Sequence, residues 1–187
     1  MTAWSGAVLA GGSSRRMGRD KALVEIDGRP MAVRVADALE GAGAAEVFCV
    51  GGDAALASYG VRLLADDYPG EGPLGGLVTA LRHAAHDLVV VLACDLLDPS
   101  SAAVRRLVGE ARDRHRRAAV VPVIAERPQW LHGAWRRDSC LAPLRTAFDD
   151  GERSIHGAAA VLDVRFVDDT GPGFEDADAP EDLGDGG

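Results

Sequence analysis

The chain has 187 residues, 47% hydrophobic and 26% charged, with a formal net charge of −9. That composition describes one globular domain over 1–187 able to bury a substantial core, ending in an acidic, flexible tail at 174–187. The negative balance excludes a broad basic surface for nucleic acid, and no apolar stretch approaches the length of a membrane span.

The start Met1-Thr2-Ala3-Trp4 lacks the basic and apolar regions of a secretory leader, so a soluble cytoplasmic protein with no membrane partner is expected. Cys49, Cys94 and Cys140 are odd in number and far apart, without C-x-x-C spacing. They read as buried free thiols in a reducing compartment, neither a disulfide framework nor a zinc site.

In chain order, the first apolar run, Ala7-Val8-Leu9-Ala10, leads into Gly11-Gly12-Ser13-Ser14-Arg15-Arg16-Met17-Gly18-Arg19-Asp20-Lys21. A strand entering a glycine loop ahead of a helical pattern opens an α/β unit. Gly11 and Gly12 have no Cβ to block a ligand or forbid positive φ, so the backbone can turn its amides inward. Ser13 and Ser14 add hydroxyl donors, and Arg15, Arg16, Arg19 and Lys21 add four cations, a combination suited to a polyphosphate. Lys21 is the only lysine among 20 basic residues, a compact flexible charge where phosphate oxygens would be met. The spacing fits neither the P-loop nor the dinucleotide fingerprint.

Val24 to Gly28 reads as a short extended piece with a turn, and Pro30 as the first residue of a helix running to Gly41–Gly43. Val47 to Val50 is the next strand, closed by Gly51-Gly52, and Val61 to Leu64 a weaker one leading to Asp66-Asp67. Gly70-Glu71-Gly72-Pro73-Leu74-Gly75-Gly76 opens a second helix. Leu88 to Ala93 is uninterrupted and apolar, as expected of a central strand buried on both faces. Cys94-Asp95 ends it. Ligands of open parallel sheets bind beyond the carboxyl ends of the strands, so Asp95 should face the same crevice as the first loop. A carboxylate there would repel phosphates unless a hard cation lay between, and Mg²⁺ is commonly held by one or two carboxylates plus phosphate oxygens.

Pro99 to His115 is predicted helical with Ser100 and Ser101 in its first turn, its Arg112, Arg114, Arg116 and Arg117 forming a solvated end. Ala118 to Ile124 is a strand, and Arg127 to Trp135 a loop and strand in which Trp135 reads as packing while Trp130 stays open between packing and stacking on a ligand. Leu141 to Phe148 and Ser154 to Leu162 suggest helices, and Val164 to Val167 a last strand. His83 and His86 share a helix, but neither they nor any serine elbow makes a catalytic motif.

The run from Leu9 to Lys21 resembles the nucleotide-binding signature of the molybdenum cofactor guanylyltransferases, L-A-G-G-x-S-x-R-M-G-x-D-K, at every fixed position. The resemblance extends in the same motif order over nearly the whole chain. It implies a Rossmann-like three-layer α/β/α fold with a mainly parallel sheet, of the nucleotide-diphospho-sugar transferase kind, and transfer of GMP from GTP to molybdopterin. It implies nucleotide binding by Leu9, Ala10, Gly11, Gly12, Ser14, Arg16 and Lys21, with Arg16 and Lys21 at the triphosphate and Asp95 on Mg²⁺. Asp66 falls where the family has an aspartate near the nucleoside, although the adjacent Asp67 leaves that alignment open. The segment at Trp130 corresponds to the acceptor side, without the usual His-Pro pair. The tail from Phe174 to Leu183 is similar to the family's F-x-N-x-N-T-P-E-D-L with Asp176 and Asp178 for the asparagines, making Asp178 a second candidate metal ligand. Transient contact with molybdoenzyme maturation proteins is implied as well. The L-A-G-G wording favours guanylyl over cytidylyl transfer. The alternatives are transfer to phospholactate or a sugar phosphate, use of CTP, or a GTP-binding regulatory module without turnover.

Overall fold

The computed structural model describes residues 2–11, 20–112, 117–168 and 173–174. Gly12, Ser14 and Arg16 of the first loop, Asp176 and Asp178, and the expected acidic tail beyond Phe174 lie outside the described residues, as do Arg114 and Arg116.

Alternation of apolar runs builds a mixed sheet with helices on both faces. The strands are β1 (Ser5–Leu9), β4 (Glu46–Val50), β5 (Leu63–Leu64), β6 (Leu88–Ala93), β7 (Ala119–Ile124), β9 (Gly133–Arg136) and β10 (Val164–Asp168), in the order β10-β7-β9-β6-β1-β4-β5. A short β8 (Arg127–Pro128) pairs with β7, and β2 (Glu25–Ile26) and β3 (Arg29–Pro30) form a separate two-stranded hairpin. β1, β4, β5 and β6 run parallel, and β7 is parallel to β10. β9 is antiparallel to both β6 and β7, and the short β8 is antiparallel to β7, so the sheet is mainly but not wholly parallel.

Side chains of β6 alternate between two cores, as the two-residue period of a strand requires. Leu88, Val90 and Leu92 pack with Val8, Leu39 and Val104 on the side of α1 (Met31–Gly41) and α3 (Ser101–Ala111). Val89 and Val91 pack with Leu77, Leu144 and Trp135 on the side of α2 (Pro73–His83) and α4 (Arg137–Asp149). The expected three-layer architecture is therefore present. At Gly6, a Cβ would meet the Leu39 side chain at 3.1 Å, so the missing side chain lets α1 settle directly on β1.

Several element boundaries differ from the sequence reading, each for a tertiary reason. Pro30 is the cap of α1 and closes the hairpin, so the helix proper starts at Met31. Ser100 caps α3 by accepting from Ala103 N at 3.4 Å, leaving Ser101 as the first helical residue. Helix α4 begins four residues before the expected Leu141. Asp87, across the chain, accepts from Asp138 N at 3.1 Å while its carbonyl accepts from Arg137 N at 2.7 Å, a start that no local pattern encodes. The helix expected over Ser154–Leu162 is a short α5 (Ile155–Ala158) followed by a 3₁₀ turn, Ala159–Val161. His86 lies beyond the end of α2, so it does not share a helix face with His83.

The amino end of the sheet is tied by Glu46. Its Oε1 accepts from Ser5 Oγ at 2.7 Å and Ala85 N at 2.6 Å, and its Oε2 meets Arg62 Nη1 at 3.1 Å. Partial burial works to raise the Glu46 pKa, but the Ala85 amide, Ser5 hydroxyl, Arg62 and His86 together hold it below its ordinary value of 4.5. A carboxyl depressed in the folded state stabilises the fold above its unfolded pKa and stops doing so as pH falls through the lower folded pKa. Glu46→Gln should therefore lose stability relative to wild type at neutral pH, with the gap closing as pH falls below about 4.5. Denaturation midpoints of the two proteins across that range check it.

Candidate active site

The carboxyl ends of three parallel strands finish level. Leu9 pairs with Val50 on one side and Ala93 on the other, so the loops leaving β1, β4 and β6 rise from one edge. The chain reverses its direction of travel across the sheet beside β1, with β4 and β5 to one side and β6 to the other. Ligands of open α/β sheets bind at such a switch point. A cleft lies there, lined by Leu9, Ala10 and Gly11 from the first loop, Asp20 and Lys21 beyond it, and Cys94 and Asp95 after β6. Asp66, Gly72, Pro73 and Gly76 close it from the α2 side.

Lys21 Nζ and Asp95 Oδ2, 74 residues apart in sequence, are 3.4 Å from each other, with about a quarter of each side chain open to solvent. A 3₁₀ turn, Lys21–Leu23, presents the ammonium. Asp20 caps that turn by accepting from Ala22 N at 3.0 Å, which explains the aspartate directly before the lysine. So exposed an ion pair is worth at most about 1 kcal/mol, weak enough for a ligand to part.

Of the two adjacent aspartates, the structure separates the roles. Asp67 is turned to the surface, its Oδ2 3.1 Å from Arg82 and 3.3 Å from His83. Asp66 lines the cleft, with Oδ1 accepting from Tyr68 N at 3.0 Å and lying 3.0 Å from the Thr79 hydroxyl. Those bonds fix the carboxylate without consuming Oδ2, which would stand 3.7 Å from a Cβ placed on Gly11. Gly51 and Gly52 back the loop from the other side at φ of 70° and 85°. A Cβ on Gly51 would come within 3.1 Å of Gly11 Cα, and one on Gly52 within 2.9 Å of Ala10 Cβ. Sequence reading gave this pair only as the end of a strand.

No group of three His, Cys, Asp or Glu side chains forms a metal cage among the described residues. Of the carboxylates among the described cleft residues, Asp95 is the one at the end of β6, where it could serve as a ligand to a divalent cation. Cys94 also lines the cleft, and burial pushes its thiol well above the ordinary value, which disfavours the nucleophilic thiolate. Burial likewise pushes Cys49 and Cys140 up to about 12, as expected of packed thiols.

Beside the cleft, and sharing Pro73 and Leu131 with it, runs a shallow groove walled by Trp130, His132, Ile155 and His156. Trp135 is fully buried, in keeping with packing. Trp130 is half-buried, its ring 6.5 Å from Trp135 and edge-on to His156 and Phe166 at 5.6 Å each.

A family profile described as the MobA-like NTP transferase domain matches residues 6–167. The chain belongs to the MobA-like NTP transferases. A probable molybdenum cofactor guanylyltransferase of Chloroflexus aggregans is 34% identical over 168 residues, covering 84% of this chain and 77% of that protein. A similarly named protein of Halalkalibacterium halodurans is 29% identical, over 95% and 94% of the two chains. Among solved structures, the molybdopterin-guanine dinucleotide biosynthesis protein A of Archaeoglobus fulgidus superposes with a TM-score of 0.75 at 24% identity, covering 96% of this chain and 94% of that one. The mixed α/β fold with its mostly parallel central sheet is thus one this chain shares with that solved structure.

In this cleft the close approach of Gly51-Gly52 to Ala10-Gly11 sets the path of the backbone as it leaves β1. Gly52→Ala, which combines a positive φ with a Cβ contact, should destabilise the protein by about 2 kcal/mol and weaken nucleoside triphosphate binding. Urea unfolding and nucleotide titration check the two effects.

Proposed function

We propose that the protein transfers GMP from GTP to molybdopterin, giving molybdopterin guanine dinucleotide and pyrophosphate. The observation that carries the reading is the meeting of Lys21 and Asp95 at 3.4 Å in a cleft at the sheet's carboxyl edge, in a chain of the MobA-like family whose relatives bear the guanylyltransferase name.

The acceptor phosphate attacks the α-phosphorus of GTP and pyrophosphate leaves. Such a step needs alignment and charge neutralisation more than covalent help. In this reading Leu9, Ala10, Gly11, Gly12 and Ser14 bind the nucleotide, Arg16 and Lys21 meet the triphosphate, and Asp66 faces the nucleoside. Asp95 holds Mg²⁺, with Asp178 as a second candidate ligand. When bound, the cation would neutralise phosphate oxygens and act as a Lewis acid. Lys21 adds charge neutralisation and N–H donors through its ammonium, held at the cleft by the Asp20-capped turn. The groove at Trp130 is proposed for the pterin, since it opens off the cleft and offers a flat, half-buried ring. Handover of the product to molybdoenzyme maturation proteins would follow, in the cytoplasm; no described helix is long and apolar enough to cross a membrane.

Purified protein given GTP, Mg²⁺ and molybdopterin should release pyrophosphate. Release only with phospholactate or a sugar phosphate, or only with CTP, would replace the acceptor or the base in this assignment. Lys21→Ala and Asp95→Asn should lose turnover by at least about 100-fold while unfolding as cooperatively as wild type. GTP at a hundredfold excess over Kd should stabilise the wild-type fold by about 2.7 kcal/mol. GTP stabilisation without turnover in wild type and both variants would point instead to a regulatory binding module. Trp130→Ala should raise KM for the acceptor and leave KM for GTP unchanged in steady-state kinetics.

A further inference from the structure

Asp95 stands on a segment that has already left the sheet. The β6 ladder ends at Ala93, and Cys94 N makes a last bond to Leu9 O at 3.1 Å. Two side chains from other elements then hold the strand end and the loop. His132, only 1% exposed, places Nδ1 3.4 Å from Ala93 N. An amide can only donate, so Nδ1 is the acceptor there. The ring lies within 15° of parallel to Phe174, with centroids 6.0 Å apart, which sets its tilt. On the other side of the carboxylate, Arg34 of α1 donates Nη1 to Leu97 O at 2.8 Å. Leu96 between them is fully buried in the core shared with α1. The backbone is thus pinned two residues before Asp95 and two residues after it. Neither His132 nor Arg34 lines the cleft.

We propose that His132 and Arg34 are positioning residues for Asp95, a two-point clamp that holds the loop so that its carboxylate meets the metal–nucleotide complex. The inference rests on the reading of Asp95 as a metal-holding residue. A ligand carboxylate on an unpinned loop would have to lose its freedom each time the nucleotide bound, and that cost would appear in affinity. Residues that orient metal ligands from behind typically contribute 10–100-fold to metal affinity.

Two pairs of substitutions separate the clamp from mere packing. His132→Phe keeps a flat ring against Phe174 and removes the acceptor, whereas His132→Asn restores an acceptor near Nδ1. Arg34→Met keeps the aliphatic stem and removes the donor, whereas Arg34→Lys restores a cationic donor. The readout is Mn²⁺ binding in the presence of GTP, followed by the electron paramagnetic resonance signal of free Mn²⁺, beside the thermal midpoint of each variant. His132→Phe and Arg34→Met should each raise the Mn²⁺ dissociation constant about 10-fold, with the Asn and Lys variants recovering most of the loss. A purely structural role would move the midpoint and leave Mn²⁺ binding by the folded fraction unchanged, and that result overturns the clamp. Asp95→Asn is the reference. If it weakens Mn²⁺ binding while the Phe and Met variants do not, the clamp alone falls; if it binds Mn²⁺ as wild type does, the assignment of Asp95 falls and takes the clamp with it.

Discussion

The constraint on which the molecule depends is the level finish of β1, β4 and β6. Parallel strands buried on both faces have little freedom of register, because a one-residue slip would exchange the two cores that Val90 and Val91 serve. With Leu9 fixed between Val50 and Ala93, the residues that follow each strand must emerge together. Gly11, Gly51 and Asp95 therefore share an edge although they are far apart in sequence. The chemistry follows from packing: hydrophobic burial sets the register, and the register delivers Asp95 to Lys21.

The charges at that edge are unbalanced in a telling way. Asp20, Asp66 and Asp95 line the cleft with Lys21 as the one cation among its described lining residues. Three carboxylates would repel a triphosphate at the short distances of a cleft. Two of them are already engaged in local work, Asp20 in capping the lysine turn and Asp66 in bonds to Tyr68 N and Thr79. Asp95 meets Lys21 across the cleft at 3.4 Å, and a carboxylate so placed at the strand end is the one the proposed reaction would use to hold a divalent cation.

What the sequence made legible was whatever local pattern controls. The valine-rich β6 was readable to the residue because a short run of β-branched apolar side chains, closed by Cys94-Asp95, suits a central strand buried on both faces. The placement of Lys21 with Asp95 followed from the rule for carboxyl ends of parallel strands. What escaped was set by contacts distant in sequence. Helix α4 takes its start from Asp87, some fifty residues earlier. Asp66 and Asp67 were indistinguishable until Arg82 and His83 drew one of them outward. Gly51-Gly52 looked like ordinary strand punctuation, because its close approach to Ala10-Gly11 exists only once the strands pair.

The antiparallel β9 gives the site its second half. A purely parallel sheet would place only crossover loops at this edge, whereas β9 enters from it between β6 and β7. The residues leading into the strand, Trp130, Leu131 and His132, therefore stand next to the end of β6. All three line the groove beside the nucleotide cleft, and His132 also places its Nδ1 at the Ala93 amide. One three-residue approach thus touches both the proposed acceptor groove and the backbone that carries Asp95. In the proposed transferase, the two substrates would meet over a single piece of backbone.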